Sequence, residues 1–162
     1  IMTSQTNENA LLKAGCILLM AAGAVCQAIG VWNSLSVGRQ TQNMESEMYD
    51  NLNQSMQQQT GGQAGADVAI QALQGLSVLV AVLCVVVLAV LLVVGLMGLK
   101  RIDKPEKYRF FLIWGIVLLV FGGIGALLVA DFASIRGIAN LLWAVVAPIL
   151  FIVGALQQKK TL

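Results

Sequence analysis

Residues 76–99 read LSVLVAVLCVVVLAVLLVVGLMGL, a stretch in which no side chain is charged. A helix of about 20 apolar residues crosses a hydrocarbon core of roughly 30 Å, so this run reads as a membrane span. Working outward, three more runs pass the same test: residues 11–32, 110–130 and 138–156. Composition agrees. Of the 162 residues 58% are hydrophobic and 11% charged, where a soluble domain carries roughly a quarter charged. The expected fold is an all-α integral membrane protein, a four-transmembrane-helix bundle. The first span, with Lys13 at its entrance, exceeds a secretory h-region, and Asn33-Ser34-Leu35 offers no small-residue cleavage site, so it reads as a retained helix.

Orientation follows from the bases, which accumulate on the cytoplasmic side. Between spans two and three, residues 100–109 carry Lys100, Arg101, Lys104, Lys107 and Arg109; the tail 157–162 adds Lys159 and Lys160, and the N-terminal side has Lys13. Only Arg39 and Arg136 fall on the other side. Acids lean the opposite way, with Glu45, Glu47, Asp50, Asp67 and Asp131 against Glu8, Asp103 and Glu106. Residues 1–10 and both termini are therefore expected in the cytoplasm of a multi-pass protein of the plasma or cytoplasmic membrane. Residues 33–75 and the short turn 131–137 would face outward.

The longer outward segment, 33–75, is rich in Gln, Asn, Ser and Met. Met44, Met48, Leu52 and Met56 recur every fourth residue, as one face of a helix would. Thr60-Gly61-Gly62 reads as a stop and turn. From residue 66 the chain can run helically into span two, with Asp67 placed favourably at that helix start. The expectation is an extracellular helical extension between helices 1 and 2, in which the Met-bearing helix pairs with the protruding second span. Two alternatives stand open: a mobile polar loop, as Gln-rich segments often form, and either continuation or a break of helix 1 across Gly38–Asn43.

Several function classes are excluded by what is missing. The chain has no His, so Ser/His/Asp and Cys/His catalysis is ruled out. Cys16, Cys26 and Cys84 lie in apolar runs with no CxxC spacing, which argues against a metal or redox site. No Asp, Glu, Lys or Arg lies mid-span, so proton-coupled transport and intramembrane carboxylate chemistry lack their titratable group. A net charge of +2 makes no case for nucleic acid. The chain is expected to be no enzyme and to need no cofactor or metal.

The remaining candidates are contacts. Gln27 and Asn140 are possible intramembrane polar contacts, either bonding between helices or lining a path. Gly23, Gly30, Gly115, Gly122 and Ala126 form small-residue faces that let helices approach closely, within one bundle or between subunits. Pro148 should kink the fourth helix. Trp32, Trp114, Trp143 and Tyr108 lie where an interfacial aromatic belt would. Asn53-Gln54-Ser55 matches a glycosylation sequon. The layout resembles small tetraspan proteins in architecture only. Residues 33–75 lack the Trp and paired Cys of claudins, and the short second loop lacks the Cys-Cys-Gly motif of tetraspanins. The expected function is a non-catalytic assembly or accessory subunit. It would act through the Met44/Met48/Leu52/Met56 stripe and the small-residue faces, as a homo-oligomer or within a larger membrane complex. The alternative is an oligomeric channel or facilitator for small solutes or ions.

Overall fold

The computed structural model describes the backbone of residues 2–128 and 133–160 and the side chains of 9–127 and 133–160. Asp131 therefore lies outside the described residues. Every regular element among them is helical: α1 (Met2–Gln42), α2 (Ser46–Thr60), α3 (Ala66–Leu99), a 3-10 turn (Pro105–Lys107), α4 (Tyr108–Leu128), α5 (Ile135–Leu141), a π-helical turn (Leu142–Val146) and α6 (Ala147–Lys160). Four helical stretches are long and apolar enough to cross a bilayer: Asn9–Gln42, Ala66–Leu99, Pro105–Leu127 and Ile135–Lys160. In lipid every backbone polar group must be satisfied within its own segment, which a helix achieves. The chain is an all-helical, multi-pass membrane protein.

Two compact units are formed: residues 1–27 with 87–162, and residues 28–86. In the first, α1, α3, α4 and α6 meet around Leu12, Cys16, Leu91, Phe111, Phe151 and Ala155. Phe111 and Phe151 stack edge to face, their centroids 5.5 Å apart. Lipid tails are as apolar as these side chains, so the helices gain little from leaving lipid and must associate through close van der Waals packing. Glycine supplies that closeness at each crossing. A Cβ on Gly154 would lie 2.6 Å from Leu12 Cδ2, one on Gly98 2.6 Å from Cys16 Sγ, and one on Gly115 3.1 Å from the Pro148 carbonyl oxygen.

Pro148 perturbs the fourth span in a defined way. Proline lacks an N–H and its ring crowds the carbonyl four residues earlier, here that of Ala144. The helix responds by widening over Leu142–Val146, where the Ala147 N–H donates to the Leu142 carbonyl in a five-residue step. Gly122 of α4 faces this bulge. A Cβ there would lie 2.9 Å from Ala144 Cβ and 3.0 Å from its Cα.

At the basic end of the same unit a small polar network ties three segments together. Gln158, 2% exposed, donates from Nε2 to the Ile102 carbonyl at 2.9 Å and to Asn9 Oδ1 at 3.5 Å. Asn9 Nδ2 in turn donates to Asp103 at 3.5 Å. The start of α1, the link 100–107 and the end of α6 are joined there.

Candidate functional site

The unit of residues 28–86 holds the last turns of α1, all of α2 and residues 66–86 of α3. Its polar character comes from α2, SEMYDNLNQSMQQQT, in which no residue is buried. Such a helix is short for independent stability in water, so it needs tertiary bonds. It has two. Tyr49 donates from its hydroxyl to Asp67 Oδ1 at 2.6 Å, and Asn53 Oδ1 accepts from the Ala66 N–H at 3.1 Å. The first N–H groups of a helix have no intrahelical partner. Asn53 thus caps α3 from a distance in sequence, and Asp67 sits favourably in the positive first turn.

These pairings fix how α2 lies. Residues 49 and 53 of α2 both bond to the first turn of α3, at Asp67 and Ala66. The chain returns through residues 61–65. Gly61 and Gly62 adopt φ of 64° and 86°, a region that costs other residues a steric penalty. The Gly62 N–H closes on the Gln57 carbonyl at 2.9 Å. Thr60 Oγ1 accepts from the Ala64 N–H at 3.1 Å. On the other flank α1 runs without interruption to Gln42, and a Cβ on Gly38 would lie 3.1 Å from Ser77 Oγ.

The methionine stripe is divided by this geometry. Leu52 and Met56 are half-buried on the face that carries Tyr49, Asn53 and Thr60; Met44 is half-buried ahead of the helix. Met48 is 60% exposed. Tyr49 responds electrostatically to its partner: the bond to the Asp67 carboxylate, then partial desolvation, hold its phenol above the usual value of 10.0.

The small-residue positions are distributed inside the other unit. A Cβ on Gly23 would lie 2.6 Å from Leu91 Cδ1. Gly115 and Gly122 face the fourth span, and Ala126 is buried at 4% exposure. Gly30, in the cap-bearing unit, is also buried. By contrast, Gly123 and Gly125 have nothing within 4 Å of the Cβ position.

Gln27 is buried, at 7% exposure. Asn140 accepts instead from the Cys26 thiol at 3.8 Å, and Ser77 donates to the Gln74 carbonyl of its own helix at 2.8 Å. The aromatic residues also divide: Trp32 is 67% exposed, whereas Trp114, Trp143 and Tyr108 pack against the core. Among the described residues no group of three or more Cys, Asp or Glu is placed to hold a metal ion.

Two open cavities of the four-helix unit are apolar. One of about 490 Å³ lies between Leu18, Ala22 and Val25 of α1 and Ile138, Ala139 and Leu142. Another, of about 310 Å³, lies between α3 and α4. A third, of about 420 Å³, opens at the basic end beside Asn9, Lys13 and Asp103.

Fold and site together define a multi-pass helical membrane protein bearing a hydrogen-bonded helical cap on its first interhelical connection. No family model matches the chain, and no curated protein or solved structure is significantly similar to it.

Proposed function

We propose that this chain is a non-catalytic assembly or accessory subunit of the plasma or cytoplasmic membrane, with cytoplasmic termini and an extracellular cap that docks a partner. The observation that carries this reading is the order of α2. A polar helix with no buried residue is clasped at Tyr49 and Asn53 while Met48 stands 60% exposed. Ordering a backbone costs about 1–2 kcal/mol per residue, and a segment needed only as a tether gains nothing from it. Methionine suits a docking face because its flexible thioether adapts to irregular surfaces. Gly23, Gly115, Gly122 and Ala126 pack within one chain, so the proposed interface rests on the cap and not on them.

The partner is a second copy or another membrane subunit, and one experiment tests both. The complex is isolated from native membranes in mild detergent and its mass compared with that of Met48→Glu. The expected result is a multimer or mixed complex in the unaltered protein that is lost in the variant while its melting temperature holds. A lone monomer, unchanged by the substitution, contradicts the proposal. The channel reading has less to stand on. Gln27 and Asn140 are not bonded to each other, and the cavity beside α1 is aliphatic. It predicts solute flux in liposomes that Gln27→Leu alters.

A further inference from the structure

The groove between α3 and α4 joins two chemistries. Along its length it is aliphatic and aromatic: Val90, Val93 and Met97 on one wall, Phe110 and Trp114 on the other, enclosing about 310 Å³. The wall residues Val90, Val93 and Met97 are 40%, 54% and 38% exposed, so the groove opens sideways. One helical turn past Met97 stands Arg101, whose guanidinium carbon sits over the Phe110 ring, 4.3 Å from its centroid. The same phenyl ring thus lines the groove and holds a cation at its mouth.

Stacking uses the flat face of a guanidinium and leaves its five N–H donors free in the plane. Among the described residues no side-chain hydrogen bond and no ion pair within 4.0 Å engages the Arg101 guanidinium beyond the ring contact. Asp103, the nearest acid in sequence, accepts from Asn9 instead. Lys100, Lys104, Lys107 and Arg109 surround the position in sequence. The apolar groove beside α1 has no charged residue among its lining residues, and so lacks this second feature.

We propose that the α3/α4 groove is a binding site for an anionic phospholipid, one acyl chain lying along Val90, Val93 and Trp114 and the headgroup phosphate meeting Arg101. A partner helix would satisfy the apolar wall but leave the guanidinium donors unpaired; a free phosphate would do the reverse. Arginine with phosphate forms a bidentate, charge-assisted pair, and basic pockets between spans are a recognised form of headgroup site. The proposal requires the membrane spans but not the assembly role of the cap.

The test reads Trp114 as a reporter. The full chain is placed in nanodiscs containing brominated phosphatidylglycerol or phosphatidylcholine of the same chain length, and Trp114 quenching is taken as the difference from Trp114→Phe. The expected result is half-quenching at about fivefold lower mole fraction of the anionic lipid. Arg101→Gln should remove that preference while quenching by brominated phosphatidylcholine persists, which also shows that the groove is intact. Lys104→Gln, an equal charge change away from the groove, should keep it. Inorganic phosphate added to phosphatidylcholine discs should not alter quenching.

Equal quenching by the two lipids overturns the proposal. So does an equal loss of preference in Arg101→Gln and Lys104→Gln, which would mean diffuse attraction. A Trp114 that neither lipid quenches would mean that a protein surface covers the groove, and overturns it as well. None of these outcomes depends on whether Met48→Glu dissociates a complex.

Discussion

The Tyr49 hydroxyl and the Asp67 carboxylate lie 2.6 Å apart, joined by a hydrogen bond between α2 and the first turn of α3. The bond exists only while the phenol is protonated, because a phenolate would face a carboxylate. The folded pKa is therefore raised above 10.0, chiefly by that bond. Its contribution to the cap is complete below the unfolded value near 10 and is lost as pH rises through the higher folded value. In a Tyr108→Phe background, ultraviolet titration should find the remaining tyrosine ionising above pH 10, and Asp67→Ala should bring the midpoint down. A Tyr49 that titrates at or below 10 in the unaltered cap would mean the bond is absent in solution.

Asn53 makes the second clasp, and its removal should loosen α3 locally. Loss of a helix cap costs about 1 kcal/mol, equivalent to roughly fivefold in an opening equilibrium. Amide exchange at residues 66–69 should quicken by about that factor in Asn53→Ala. Asn53→Asp keeps an acceptor oxygen and should stay near the unaltered rate.

Two adjacent glycines give a sharper contrast. On Gly122 a methyl would meet Ala144 Cβ at 2.9 Å and its backbone at 3.0 Å, whereas on Gly123 it meets nothing within 4 Å. Overpacking of this kind costs about 1–3 kcal/mol. Glycine to alanine in an open helical position gains up to about 1 kcal/mol. Thermal melts in detergent should show Gly122→Ala below the unaltered chain and Gly123→Ala level with it or above. Equal melting temperatures would contradict the close approach of Gly122 to Ala144.

Gln158→Leu should release the link at the basic end. The substitution removes the donor to Ile102 and Asn9 and strands the buried carbonyl, costing about 1–3 kcal/mol. Limited proteolysis after Lys100, Arg101 or Lys107 should become faster, with α4 and α6 themselves still resistant.

What the sequence carried was the part that repeats. Uncharged runs mark four spans because lipid tolerates nothing else, and Met48, Leu52 and Met56 of the period-four stripe fall in the helix that runs from Ser46 to Thr60, while Met44 lies ahead of it. Which face of that helix turns inward was not legible. Tyr49 and Asn53 decide it, and a bond from residue 53 to residue 66 leaves no periodic trace. Asn53 stood out only as part of a sequon, although its carbonyl oxygen caps α3. Gly122 illustrates a similar limit. A small residue signals close approach, but only the position of Ala144 shows that the approaching helix belongs to the same chain. Arg101 was legible as one base among many, and its seat on Phe110 was not.

The account turns on the cap and the basic link lying on opposite sides of the membrane. The direct measurement is cysteine accessibility in intact cells, using a membrane-impermeant maleimide and a background with Cys16, Cys26 and Cys84 replaced by alanine. Gln58 and Lys104 are both exposed. Gln58→Cys is predicted to react from outside, and Lys104→Cys only after the membrane is permeabilised. Labelling of Lys104→Cys in intact cells, or of Gln58→Cys only after permeabilisation, would contradict the account.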